Sequence, residues 1–155
     1  MNYVTIQNNK AQSEGGGVYS NKELTLKNTT VTGNEAASGG AIQIATTDSV
    51  FNMSGSTVIT VEPSGGLGTP SKNDVYVTNN AFITLTGELT ATGKIARITL
   101  NSSSGYQNDR EIVKADSDFT IPSGYENKFT ITDKIGSHYH WKLILQKNAL
   151  KLKLK

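Results

Sequence analysis

With 155 residues, no cysteine and 18% charged residues, the chain has room for one domain, or one body with a small appendage, and for neither disulfide staples nor thiolate chemistry. Its formal charge of +2 hides an asymmetry: residues 1–133 carry nine Lys or Arg against thirteen Asp or Glu, whereas residues 134–155 carry six Lys and no acid. Lysines gathered on one terminal strand without interleaved aromatics exclude a nucleic-acid footprint, and no window approaches the roughly 20 apolar residues of a membrane helix.

No stretch of a dozen residues keeps an i, i+3, i+4, i+7 apolar stripe, so helix is nearly absent. Gly, Ser, Thr and Asn are abundant instead, the mixture that thin strands and tight turns need. Thr5-Ile6 leads into Asn9-Lys10-Ala11 and the bend Gly15-Gly16-Gly17-Val18-Tyr19-Ser20. Thr30-Val31 leads into Asn34-Glu35-Ala36 and the bend Ser38-Gly39-Gly40-Ala41-Ile42-Gln43-Ile44. Altered copies follow at Asn73-Asp74-Val75-Tyr76-Val77 and Ala96-Arg97-Ile98-Thr99-Leu100, so Val18, Ile42, Val75 and Ile98 recur at spacings of 24, 33 and 23 residues. Repeats of this size mark units that bury an apolar face only by stacking on a neighbour.

Between the bends lie Leu24-Thr25-Leu26, Phe51-Asn52-Met53 and Ile83-Thr84-Leu85; Leu26 precedes Val31 by five residues, as Met53 precedes Val58. Alternation puts Val18, Ile42, Val75 and Ile98 in one interior column, and Ser20, Ile44, Val77 and Leu100 in a second. The outer column is Tyr19, Gln43, Tyr76 and Thr99. Equal spacing in one direction of travel makes the contacts parallel. The expected fold is therefore all-β: a short right-handed parallel β-helix of about four coils over residues 1–100, a column on the order of 20 Å tall. The excess of the 33-residue interval falls in Glu62 to Lys72, whose two Pro and three Gly rule out a central strand and read as a tolerated surface insertion.

After Leu100 the glycine bends stop. Separate alternating runs at Glu111-Ile112-Val113, Lys128 to Ile131, Trp141 to Leu145 and Ala149 to Lys155 predict a mainly antiparallel cap over 101–155. Lys147-Asn148 makes a hairpin turn, and Lys151, Lys153 and Lys155 protect the closing strand as an edge.

Polysaccharide-cleaving chemistry on such a fold needs carboxylates converging on an outer face, and the outer column offers Tyr, Gln, Tyr and Thr. Asp48 and Asp74 stand apart from other acids, and Asp116 and Asp118 lie in the cap. His138 and His140 would share one side of a strand, but a metal needs three or four ligands. Asn9 and Asn34 read as satisfying turn backbone. No catalytic residue, cofactor or metal is expected; Tyr19, Gln43, Tyr76 and Thr99 are the candidate partner-binding residues.

Gly39-Gly40-Ala41-Ile42 followed by Phe51-Asn52-Met53-Ser54 resembles the paired GGA[ILV] and FxxN repeats of the polymorphic outer-membrane protein family, with Ser54 where the final Asn is expected. The segments around Val75, Ile83 and Ile98, and those around Phe129 and Trp141, resemble the closing part of spirochaete surface β-helix proteins. The resemblance implies a non-enzymatic cell-surface or secreted protein of adhesin or antigen type, autotransporter-like and associated with virulence. Its implied partners are proteins or glycans of a host or neighbouring cell. A polysaccharide-lyase module and a structural spacer are the alternatives, the spacer with end-to-end self-association through an exposed first coil carrying Val4 and Ile6. The chain holds no translocating barrel, and Met1 running at once into repeat sequence reads as a fragment whose export signal lies elsewhere.

Overall fold

Apolar residues alternating with Thr, Asn and Gln form strands because successive side chains leave a pleated backbone on opposite faces. The computed structural model describes residues 1–62, 71–78, 80–101, 104–134 and 136–155. In chain order the strands among them are β1 (Thr5–Gln7), β2 (Val18–Ser20), β3 (Glu23–Lys27), β4 (Thr30–Thr32), β5 (Glu35–Ala36), β6 (Ile42–Ile44), β7 (Val50–Gly55) and β8 (Val58–Ile59). They continue with β9 (Ser71–Lys72), β10 (Val75–Val77), β11 (Ile83–Leu89), β12 (Ala96–Leu100), β13 (Glu111–Ala115), β14 (Phe129–Ile131), β15 (Trp141–Gln146) and β16 (Ala149–Leu154), with one 3₁₀ turn at Tyr125–Asn127.

The chain deals fourteen of these strands in rotation onto three sheets, in the orders β1-β4-β8, β2-β6-β10-β12-β14 and β3-β7-β11-β13-β16-β15, and β5 pairs with β9 in a separate two-stranded sheet. In the second sheet all pairs are parallel, and Val18, Ile42, Val75 and Ile98 are Cα partners in succession, as are Ser20, Ile44, Val77 and Leu100. In the third, Leu24 pairs with Phe51 and Phe51 with Ile83, while Leu26 pairs with Met53 and Met53 with Leu85. The apolar residues among these, together with Val31 and Ile59 of the first sheet, join or pack against one apolar cluster that runs from Leu24 to Leu152. The fold is thus all-β and predominantly parallel, with the register that the repeat spacing predicts.

Three expectations need correction. Val31 pairs with Ile59, not Val58, because three residues (Gly55 to Thr57) turn the corner where Asn28-Thr29 suffice in the preceding layer. The region 101–155 is mixed and not a separate antiparallel cap: β13 is parallel to β11, pairing Val113 with Ile83, and β14 is parallel to β12, pairing Ile131 with Ile98. The stack therefore gains further rungs at spacings of 30 and 33 residues, without a glycine bend to announce them. Only β16 on β13 and β15 on β16 close that end antiparallel. Finally, the lysine strand is not an edge. β16 lies between β13 and β15, Lys151 reaches Glu111 at 3.4 Å and Lys153 reaches Asp109 at 3.6 Å. The predicted hairpin does form: Gln146 pairs with Ala149 across Lys147 and Asn148, both at positive φ (49° and 57°), as a primed two-residue turn requires.

The corners show why Asn recurs. Asn34 is buried and donates from Nδ2 to the Ile6 carbonyl (3.0 Å), while its Oδ1 accepts the Asn9 N–H (3.0 Å). One layer on, Asn73 donates to the carbonyls of Val31 (2.9 Å) and Thr60 (2.8 Å), and Val31 is the register partner of Ile6. The same amide therefore closes the same corner twice. Asn73 runs directly into β10, so the third layer omits the glycine bend. Most of the Glu62 to Lys72 insertion lies outside the described residues; Glu62 itself accepts the Gly33 N–H at 2.8 Å, and Lys72 pairs antiparallel with Glu35.

Candidate functional site

The outer column of the second sheet is in register as predicted, with Tyr19, Gln43, Tyr76 and Thr99 on successive strands. Its four side chains are not equally available. Tyr19 is 52% exposed, and Tyr76 and Thr99 are half-buried. Gln43 is 4% exposed and is withdrawn from the candidate surface. The glycine bend folds over it, and the Ser38 hydroxyl donates to its Oε1 at 3.0 Å. A Cβ on Gly39 (φ 59°) would stand 2.8 Å from that same oxygen. Burial and the nearby carboxylates of Glu14 and Asp74 push the Tyr76 hydroxyl above the ordinary tyrosine pKa.

The column continues one rung further than the sequence indicates. Thr99 Oγ1 lies 2.8 Å from Thr132 Oγ1, and the Thr132 carbonyl accepts the Tyr106 hydroxyl at 2.6 Å. The Tyr106 ring packs against Trp141 with centroids 5.9 Å apart. Beside this pair opens a cleft of about 570 Å³, lined by Tyr106, Lys134, Ser137, His138, Tyr139 and Trp141 next to Gly136, a size that suits a small ligand. Tyr139 is 64% exposed. Burial pushes the Tyr106 hydroxyl up to about 12, assisted by the negative charge of Asp133 and opposed by a backbone hydrogen bond.

The loop that carries the cleft is fastened by Asp133. Its Oδ2 lies 2.7 Å from His140 Nδ1, and its Oδ1 accepts the Trp141 N–H at 3.2 Å. Partial burial alone would raise this carboxyl; the two hydrogen bonds and the charges of His140 and Lys155 outweigh that and hold it below the ordinary carboxylate range. His138 and His140 precede β15 in a loop, so the expected strand-borne pair is not formed: His138 lines the cleft while His140 serves Asp133. Among the described residues no group of three or more His, Asp or Glu side chains gathers, and no helix is long and apolar enough to cross a membrane.

Arg110 is a further anchor the sequence does not mark. Its guanidinium donates to the carbonyls of Gly105 (2.8 Å), Thr78 (2.8 Å) and Ala81 (3.2 Å), and burial lowers its pKa. It ties the turn that carries Tyr106 to the end of β10. The isolated acids fall apart in space as in sequence. Asp48 is exposed in a turn, whereas Asp74 is 2% exposed and accepts the Gly40 N–H at 2.7 Å.

The family model of the Chlamydia polymorphic membrane protein repeat matches residues 3–21, the stretch that contains β1, the first glycine bend and β2. No curated protein and no solved structure matches the chain. The chain thus carries, in the first layer of its stack, a repeat of the polymorphic membrane protein type.

Proposed function

We propose that this chain is a short right-handed parallel β-helix displayed on the surface of a bacterium, where it binds molecules of a host or neighbouring cell without chemical turnover. The observation that carries the reading is the polymorphic-membrane-protein repeat at residues 3–21, because it occupies a rung of the same parallel stack as every later layer. Rotation of the strands through three sheets around one apolar cluster supports winding into a coil. The outward positions support binding rather than catalysis: they present tyrosines and threonines, and the two lone aspartates do not converge.

The test is adhesion. Purified chain immobilised on beads is expected to retain host cells or matrix, and soluble chain is expected to compete. Absence of retention across panels of host proteins and glycans contradicts the reading. Turnover of a polysaccharide that disappears on replacing Asp48 or Asp74 favours the lyase-type module instead.

A spacer role has one observation in its favour. β1, β2 and β3 each end their sheets, and Ile6 of β1 and Val18 of β2 are only partly buried, so that end face suits stacking on a like layer. Concentration-dependent self-association lost on placing a charge at Ile6 is its signature.

A further inference from the structure

We propose that the Tyr106–Trp141 cleft is a saccharide-binding site for acidic glycans; this rests on the surface-binding reading above and names its ligand class. The apolar C–H face of a pyranose ring packs against an aromatic side chain, and its hydroxyls need donors and acceptors at the edge. The cleft supplies both: the exposed ring of Tyr139 and the ring of Trp141, with Ser137, His138 and Lys134 alongside.

Charge selects the acidic sugars. The ionisable groups in the lining are Lys134, His138 and the tyrosine hydroxyls. The carboxylate next to the cleft, Asp133, is occupied on both oxygens by His140 and the Trp141 N–H, and Lys155 adds positive charge near it. A sugar carboxylate or sulfate entering the cleft therefore meets Lys134 and His138 as partners, while the competing acid is already engaged.

Trp141 is the single tryptophan, so its emission reports on this cleft alone. Titration of the full chain with a hyaluronan hexasaccharide, a heparin hexasaccharide or sialyllactose is expected to shift or quench that emission saturably. An N-acetylglucosamine hexasaccharide, which is neutral, is expected to bind at least tenfold more weakly. Tyr139→Ala and Lys134→Gln are each expected to weaken binding at least tenfold with unchanged circular dichroism and Tm. A silent Trp141 with all three acidic probes, or equal affinity for the neutral one, overturns the proposal. Retention of host cells by the same chain with Trp141 silent sinks the cleft alone. A positive titration without retention of cells sinks the adhesive role and leaves the saccharide site standing.

Discussion

Asn34 donates from Nδ2 to the Oδ1 of Asn73 at 3.1 Å, and its backbone N–H reaches the same oxygen at 3.3 Å. Both side chains are essentially without solvent exposure, so the two amides form a buried ladder running along the stack, and each also caps a carbonyl of the preceding layer, Ile6 for Asn34 and Val31 for Asn73. Unpaired amides in such a place cost about 1–3 kcal/mol per group left unsatisfied.

Asn73→Ala is therefore expected to lower stability by about 3 kcal/mol in denaturant unfolding, since it takes the side-chain partner from the Thr60 carbonyl and the Asn34 N–H and leaves the Val31 carbonyl with the Thr60 N–H alone. Asn73 also holds φ at 44°, which disfavours Ala. Asn73→Gly removes that backbone penalty and is still expected to lose most of the same stability. Wild-type stability in the glycine variant contradicts the hydrogen-bond account.

Glycine at position 16 is required by close approach of two backbones. A Cβ there would stand 2.3 Å from the Gly40 carbonyl oxygen and 2.5 Å from that of Glu35. Gly16→Ala is expected to cost at least about 2 kcal/mol, because backbone rather than a flexible side chain must yield. Gly87→Ala, whose Cβ would meet only Ser54 Cβ at 3.6 Å, is expected to change stability by less than about 0.5 kcal/mol. Equal losses in a thermal melt of the two variants contradict the packing seen at the bend.

The raised Tyr106 pKa makes alkaline stability depend on its hydroxyl, in the same direction as the raised Tyr76. Its folded value of about 12 lies above the unfolded value of about 10. The native state therefore holds the proton longer; the associated stability is complete below about pH 10 and is lost as pH rises through the folded value. Near-ultraviolet absorbance is expected to show one of the six tyrosines ionising last, and that step is expected to vanish in Tyr106→Phe. A wild-type chain whose stability is level from pH 9 to 12 contradicts the assignment.

Asp133 acts at the opposite limb. Its folded pKa is depressed, so its contribution is present above the unfolded value near 4 and is lost as pH falls through the lower folded value. Trp141 emission is expected to report loosening of the loop in that acid range, and Asp133→Asn is expected to show the loosened signal already at neutral pH. An acid transition of Trp141 unchanged by the substitution contradicts the role given to Asp133.

What was legible in the sequence follows from how each feature is encoded. Register in the second sheet could be read from Val18, Ile42, Val75 and Ile98 because inward apolar residues recur beside turn residues that admit few alternatives. Ile131 and Val113 obey the same register, but nothing near them signals a bend; their turns are held instead by long-range contacts such as Tyr125 Oη accepting the Leu89 N–H at 3.1 Å and Asn148 Oδ1 accepting that of Ile121 at 2.7 Å. The burial of Gln43 is not encoded in its strand, because alternation tells which face a residue leaves by, and not whether a loop returns to cover it. The cleft is not legible in the sequence for a related reason: Tyr106 and Trp141 are 35 positions apart, and the added rung at Thr132 joins them.

Display on the cell surface is the claim on which the functional account rests, and labelling of intact cells of the producing bacterium tests it most directly. Antibodies raised against the folded chain are expected to stain unpermeabilised cells, and brief external protease treatment is expected to abolish that staining while a cytoplasmic marker survives. Staining that needs permeabilised cells, with the epitope untouched by external protease, would contradict it.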